Sequence, residues 1–110
     1  MTINWEDFTK VVMRVGTVLQ VNEFPEAQQA AYRLMIDFGE HGIKKSSAQI
    51  TDLYSPEELI GKQVIAVTNF PPKQIANFMS DCLVLGLPVP GEGVILIHPD
   101  REAPEGTRLA

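Results

Sequence analysis

With 110 residues, 45% of them hydrophobic and 21% charged, the chain has enough apolar side chain for one core and too little charge for a disordered polymer. Nine Lys and Arg against fourteen Asp and Glu leave a formal charge of -5, so any affinity for nucleic acid needs a local basic patch rather than bulk charge. The start, Met1 to Asp7, lacks the basic and apolar segments of a secretory signal, no window approaches a membrane span, and a lone Cys82 cannot form an internal disulfide. The expectation is a single domain, residues 1-110, in a reducing cytoplasm and without membrane insertion.

Asn4 reads as the N-cap of a short helix with Glu6 and Asp7 in its first turn. Trp5, Phe8 and Val12 share one face of it. Either the chain's own domain or a second subunit must cover that face, which makes Trp5 and Phe8 candidate dimer contacts. From Val11 the period becomes two. Val11, Met13, Val15, Leu19 and Val21 alternate with Arg14, Gly16, Gln20 and Asn22, predicting a half-buried strand in which Gly16 marks a bulge or bend. Tyr32, Leu34, Ile36 and Phe38 alternate in a second strand that stops at the turn Gly39-Glu40-His41-Gly42. The third strand, Ile43 to Ile50, is polar, with Lys44, Lys45, Ser46, Ser47 and Gln49, so part of it faces solvent or a ligand.

Ser55-Pro56-Glu57-Glu58 combines an N-cap, a proline at N1 and a glutamate at N3, a capping box that opens a helix ended by Gly61. Three nearly continuous apolar stretches follow, Val64 to Val67, Leu83 to Leu87 and Val94 to Ile97, separated by proline- and glycine-bearing loops and read as strands. Between the first two, Pro71 and Pro72 withhold two amide donors, which predicts a stiff loop presenting Phe70, Ile75, Phe78 and Met79. These side chains either close the barrel as a lid or line an apolar groove at a subunit junction, where methionine and aromatic side chains can repack around varied peptides. Pro99 to Ala110 reads as loop with a short terminal strand. A helix, three strands, a capping helix and two or three more strands predict an all-β fold with short helices. The matching architecture is a five-stranded OB-fold, a Greek-key barrel that binds ligands on one face and in its loops.

Little points to catalysis. His41 and His98 share no metal-ligand spacing with Cys82, and Ser46 and Ser47 stand in a strand without a nucleophile elbow. Asp37, Glu40 and Asp52 read as surface carboxylates around turns. A binding module, with no catalytic residue, cofactor or metal, is the expectation.

Six ordered blocks then carry a resemblance: Arg14-Val15-Gly16, Phe24-Pro25-Glu26-Ala27, Asp37-Phe38-Gly39, Ser46-Ser47-Ala48-Gln49-Ile50, Gly61-Lys62 and Asn69-Phe70-Pro71-Pro72. In order and spacing the chain resembles the tRNA-binding domain family, an OB-fold module, over nearly its whole length. The runs IKKSSAQIT and NFPPKQIA are similar to its stand-alone CsaA-like members, secretion-related chaperones. That resemblance implies a homodimer that binds unfolded or presecretory polypeptides in an apolar groove walled by Phe70, Ile75, Phe78 and Met79. The wider family implies tRNA as an alternative partner, with Arg33, Lys44, Lys45 and Lys73 as a basic patch and Ser46, Asn69 and Ser80 as hydrogen-bonding groups. Two positions depart from the family pattern. Asn77 stands where a glycine is usual, and is expected to keep a left-handed turn. Ser80-Asp81-Cys82-Leu83 replaces a Ser-x-x-Met motif, keeping the hydroxyl and losing the methionine.

Overall fold

A computed structural model describes residues 1–110. Its elements in chain order are α1 (Trp5–Thr9), β1 (Met13–Glu23), β2 (Tyr32–Asp37), a 3-10 turn (Gly39–His41) and β3 (Ile43–Ala48). Then come α2 (Pro56–Leu59), β4 (Gln63–Val67), β5 (Lys73–Ile75), β6 (Phe78–Ser80), β7 (Leu83–Val84), β8 (Gly86–Val89) and β9 (Gly93–Leu96). Five strands pair antiparallel in the order β3-β2-β1-β4-β7, with β5-β6 and β8-β9 as separate hairpins. Three meandering strands followed by a fourth that returns beside the first is a Greek key. The result is a nearly closed barrel of the OB type, with α2 on the β3-to-β4 connection.

Strand β1 is long because it serves two partners, β4 along Met13 to Thr17 and β2 along Thr17 to Glu23. The last residues extend the sheet beside its first half: Val15 N donates to Thr107 O, Gly106 N to Val15 O and Leu109 N to Met13 O. The alternation read from β2 holds, since Tyr32, Leu34 and Ile36 are buried together with Phe38. In β1 it slips. The register shifts between Val18 and Gln20, which puts Val18 in the core and leaves Leu19 exposed. The bulge is therefore at Leu19 and not at Gly16. Gly16 keeps its pairing with Val64, and its role is close approach: a Cβ there would lie 2.5 Å from Ile36 Cγ2 and 2.7 Å from Phe38 Cε1. The core gathers Val18, Leu34, Ile36, Phe38 and Val64, and α2 sends Leu59 into it.

Both helices are capped as their sequences require. Asn4 N donates to Asp7 Oδ2 at 3.0 Å, and Ser55 N to Glu58 Oε1 at 2.6 Å while Glu58 N donates back to Ser55 Oγ. The proline-bearing segment differs from its expectation. After Pro71 and Pro72 the chain does form regular structure, the β5-β6 hairpin, in which Ile75 faces Phe78 across a two-residue turn. The positive φ of that turn falls on Ala76, at 51°, and not on Asn77. The stretch Leu83 to Leu87 is likewise two strands, β7 bonded to β4 and β8 bonded to β9.

The barrel closes where β3 meets the segment Ser80 to Cys82, and side chains do much of the bonding. Asp81 N donates to Lys45 O at 2.7 Å, and Lys45 N donates to Asp81 Oδ2 at 3.2 Å. Ser47 N donates to Ser80 Oγ at 3.1 Å, and the buried Ser46 Oγ donates to Cys82 O at 3.1 Å. Behind this seam lies the Cys82 side chain. Burial first, and then the Asp81 carboxylate, push its thiol up to about 12, with the Lys44 charge pulling the other way.

The folded chain thus keeps a proton that the unfolded chain releases near the ordinary thiol value of 9.0. Stability is whole below that pH and declines as pH climbs from about 9 toward 12, by at most ~1.4 kcal/mol per pH unit. Urea unfolding at pH 8 and pH 10.5 should show a drop in midpoint that shrinks in Cys82→Ala. An equal drop in the variant would refute the assignment.

Candidate functional site

Past Ser47 the seam opens. Residues Ser47 to Ile50 on one side and Leu83, Val84 and Gly86 on the other bound a groove of about 680 Å³, roofed by Phe70, Pro71, Lys73 and Ile75. Phe70 is 53% exposed and Leu83 49% exposed, large fractions for side chains of this kind beside a concavity. Lys73 and Asp81 are the charged groups along it, and the Asp81 carboxylate is already engaged by Lys45 N. The groove can therefore take an apolar, extended ligand, with one free cation at its edge.

The four residues expected to form one apolar wall do not stay together. Phe70 and Ile75 line the groove, whereas Phe78 and Met79 do not. Phe78 packs edge-on against Phe24 with ring centroids 5.5 Å apart, and Met79 is exposed elsewhere on the hairpin. Phe24 is the residue that sequence reasoning missed. Its signal was an isolated aromatic beside Pro25 in a polar connection between two strands.

Around those two rings lies a basic face. Arg33 Cζ sits 5.3 Å from the Phe24 centroid, and Lys45 Nζ sits 5.4 Å from the Phe78 centroid. Neither cation, nor Lys44 or Lys73, enters any of the three ion pairs of the chain. Lys44 and Lys45 do not act together, because neighbours in a strand point to opposite faces. Lys45 joins the aromatic pair, while Lys44 is half-buried on the side of Cys82.

The hydrogen-bonding residues expected for RNA are mostly spent internally. Ser46 is 1% exposed and bonded to Cys82 O, so it leaves the contact set. Asn69 clamps the junction of α1 and β1, its Oδ1 accepting from Val12 N at 2.9 Å and its Nδ2 donating to Lys10 O at 2.7 Å. Ser80 works in the seam, where its hydroxyl also donates to Cys82 O at 3.2 Å. Helix α1 buries none of its residues. Trp5 is 70% exposed, its ring 5.4 Å from that of Phe8, with Ile3 exposed beside it in sequence.

Comparison with known proteins gives these features a setting. The chaperone CsaA of Bacillus anthracis str. Ames superimposes with a TM-score of 0.93 and 52% identity, covering 100% of both chains. CsaA of Picrophilus torridus gives 0.93 and 51% over 99% of this chain and 100% of that one. The methionine–tRNA ligase of Methanosarcina mazei is 34% identical over 107 residues, which are 97% of this chain and 15% of the ligase. The chain thus spans about 15% of the length of that curated relative. No helix is long and apolar enough to cross a membrane. The model of the family described as "Putative tRNA binding domain" matches residues 13–108, and over that span the chain belongs to the tRNA-binding domain family, in a CsaA-like form.

Proposed function

We propose that the protein is a holding chaperone that binds unfolded or presecretory polypeptides in the groove between β3 and β7. The observation that carries this reading is the half-apolar groove with Phe70 and Leu83 standing exposed at it, in a chain that matches CsaA chaperones end to end. A ligand gains roughly 25 cal/mol for each Å² of apolar surface covered, before ordering costs, so affinity is modest and tolerant of sequence. No nucleotide-cradling glycine motif accompanies the groove, which fits holding rather than powered remodelling. The setting is the cytoplasm.

A second copy of the chain is the occupant proposed for the α1 end. Trp5 and Ile3 form an apolar surface that a homodimer would cover, with Phe8 behind them. A separate observation favours a second ligand, tRNA, at the basic face. Arg33 and Lys45 are free of carboxylate partners and are braced by aromatic rings, Arg33 by the buried Phe24 and Lys45 by the half-buried Phe78, which holds both cations ready for an RNA backbone.

Three measurements test these readings. Fluorescence anisotropy with a panel of labelled unfolded peptides should show binding at tens of micromolar that changes little with salt. Phe70→Ser should weaken it by about tenfold, the worth of one partly covered aromatic side chain; absence of binding by the parent protein would remove the chaperone reading. In a gel shift, bulk tRNA should be retarded at about 50 mM salt and much less at about 200 mM, and Arg33→Glu with Lys45→Glu should abolish the shift. A parent protein that gives no shift at the lower salt rules the RNA reading out. Light scattering at micromolar concentration should return twice the chain mass, falling toward the monomer in Trp5→Ser, and a monomeric parent would exclude the dimer.

A further inference from the structure

The groove is bounded on one side by a strand edge whose main chain has no partner, and that edge decides how a polypeptide would sit. The bond from Phe38 N to Gly42 O sets the alternation between β2 and β3. With Ile36 opposite Lys44 and Leu34 opposite Ser46, the residues Lys44, Ser46 and Ala48 bond back to β2, while Lys45, Ser47 and Gln49 turn their amides and carbonyls outward. The seam fills the first part of this outward edge: Lys45 N and O both bond to Asp81, and Ser47 N bonds to Ser80 Oγ. There the filling stops. Ser47 O meets only the neighbouring Ser46 hydroxyl, at 3.5 Å, and Gln49 N and O make no hydrogen bond within the chain. Ser47, Ala48, Gln49 and Ile50 all line the groove.

We propose that the groove binds an extended polypeptide as an added β-strand, paired with the outward edge of Ser47 and Gln49. This rests on the peptide-binding reading and specifies its chemistry. An added strand takes its affinity from main-chain hydrogen bonds, which every sequence offers, and its preference from alternate side chains. One row of those side chains would face the apolar wall of Ile75, Leu83 and Val94. Charge adds a preference. Lys73 at the groove has no ion-pair partner, so a segment carrying an acidic residue or a C-terminal carboxylate at that end is favoured. The free edge is hydrated in the absence of ligand, so each new hydrogen bond replaces one to water and the net gain per bond is small. That keeps the complex reversible, as a holding chaperone requires.

The test uses the full chain and a decapeptide of alternating leucine and serine with a terminal glutamate. A scan of single backbone N-methyl groups removes one donor at a time. Methylation at every second position of the central segment should weaken binding at least tenfold, with under twofold change at the positions between. Saturating peptide should also slow amide hydrogen exchange at Gln49 at least tenfold. If the parent peptide binds, yet no methyl group matters and Gln49 exchange is unchanged, strand addition is overturned while peptide binding stands. If the parent peptide does not bind, both fall. Protection of Gln49 by tRNA and not by peptide would likewise overturn it and give the edge to RNA.

Discussion

The closure of the barrel by the Ser80-Asp81-Cys82 segment is the constraint on which the molecule depends. A sheet ordered β3-β2-β1-β4-β7 has two edges, and an OB-type barrel exists only if they are brought together. A continuous ladder would achieve that but would leave no opening. This chain instead bonds the β3 edge to one backbone amide, one carboxylate and one hydroxyl, and sends the β3 hydroxyl of Ser46 to the Cys82 carbonyl, all concentrated between Lys45 and Ser47. The closure is local, and the edges part beyond it. The groove is the geometrical consequence of a barrel pinned at one point and open along the rest.

The same pin explains why polar residues occur where the core is otherwise apolar. Ser46 is the one buried polar side chain, and its hydroxyl has a partner in Cys82 O. No buried side-chain nitrogen or oxygen lacks a hydrogen bond. The raised thiol of Cys82 follows from the same packing, because the seam that holds Asp81 in place also shields the sulfur from water. Structural bonding thus consumes Ser46, Ser80 and Asn69, which would otherwise resemble ligand contacts. The exposed groups that remain are of two kinds: the apolar side chains at the groove, and the cations on the outer face.

Much of the architecture was legible from periodicity and capping. The alternation of Tyr32, Leu34, Ile36 and Phe38 and the capping box at Ser55 are local rules, and both hold in the fold. What escaped depends on partners distant in sequence. The bulge lies at Leu19 because β1 is shared between β2 and β4, a fact that the residues around Gly16 do not contain. The hairpin after Pro72 was hidden by its prolines. They end before the pairing begins at Lys73, so the missing donors interrupt nothing. The candidate site was legible as a set of residue types and not as an arrangement. Phe70, Ile75 and Lys73 meet at the groove, Phe78, directly opposite Ile75 in the hairpin, packs on Phe24, and Lys44 and Lys45 part company across the sheet through the period of two.

How an acidic chain keeps a basic face follows from where its nine cations go. Arg14 donates to Gly106 O and Arg108 to Thr9 O, so both hold the terminal segment against β1 and α1. Lys10 and Arg101 pair with neighbouring aspartates at the surface, where such pairs add little stability, and Lys62 lies over Tyr54. The four left over are Arg33, Lys44, Lys45 and Lys73. Lys44 is half-buried near Cys82, which leaves three cations without carboxylates, all carried by β2, β3 or the hairpin that packs on them. Fourteen acidic residues would neutralise such a cluster if they were spread at random over the surface. Asp81 and Glu26 do lie nearby, the one bonded to Lys45 N and the other to Asn77 of the hairpin, but neither forms an ion pair with Arg33, Lys45 or Lys73, and on this basis an anionic partner remains a proposal that the charge of -5 does not defeat.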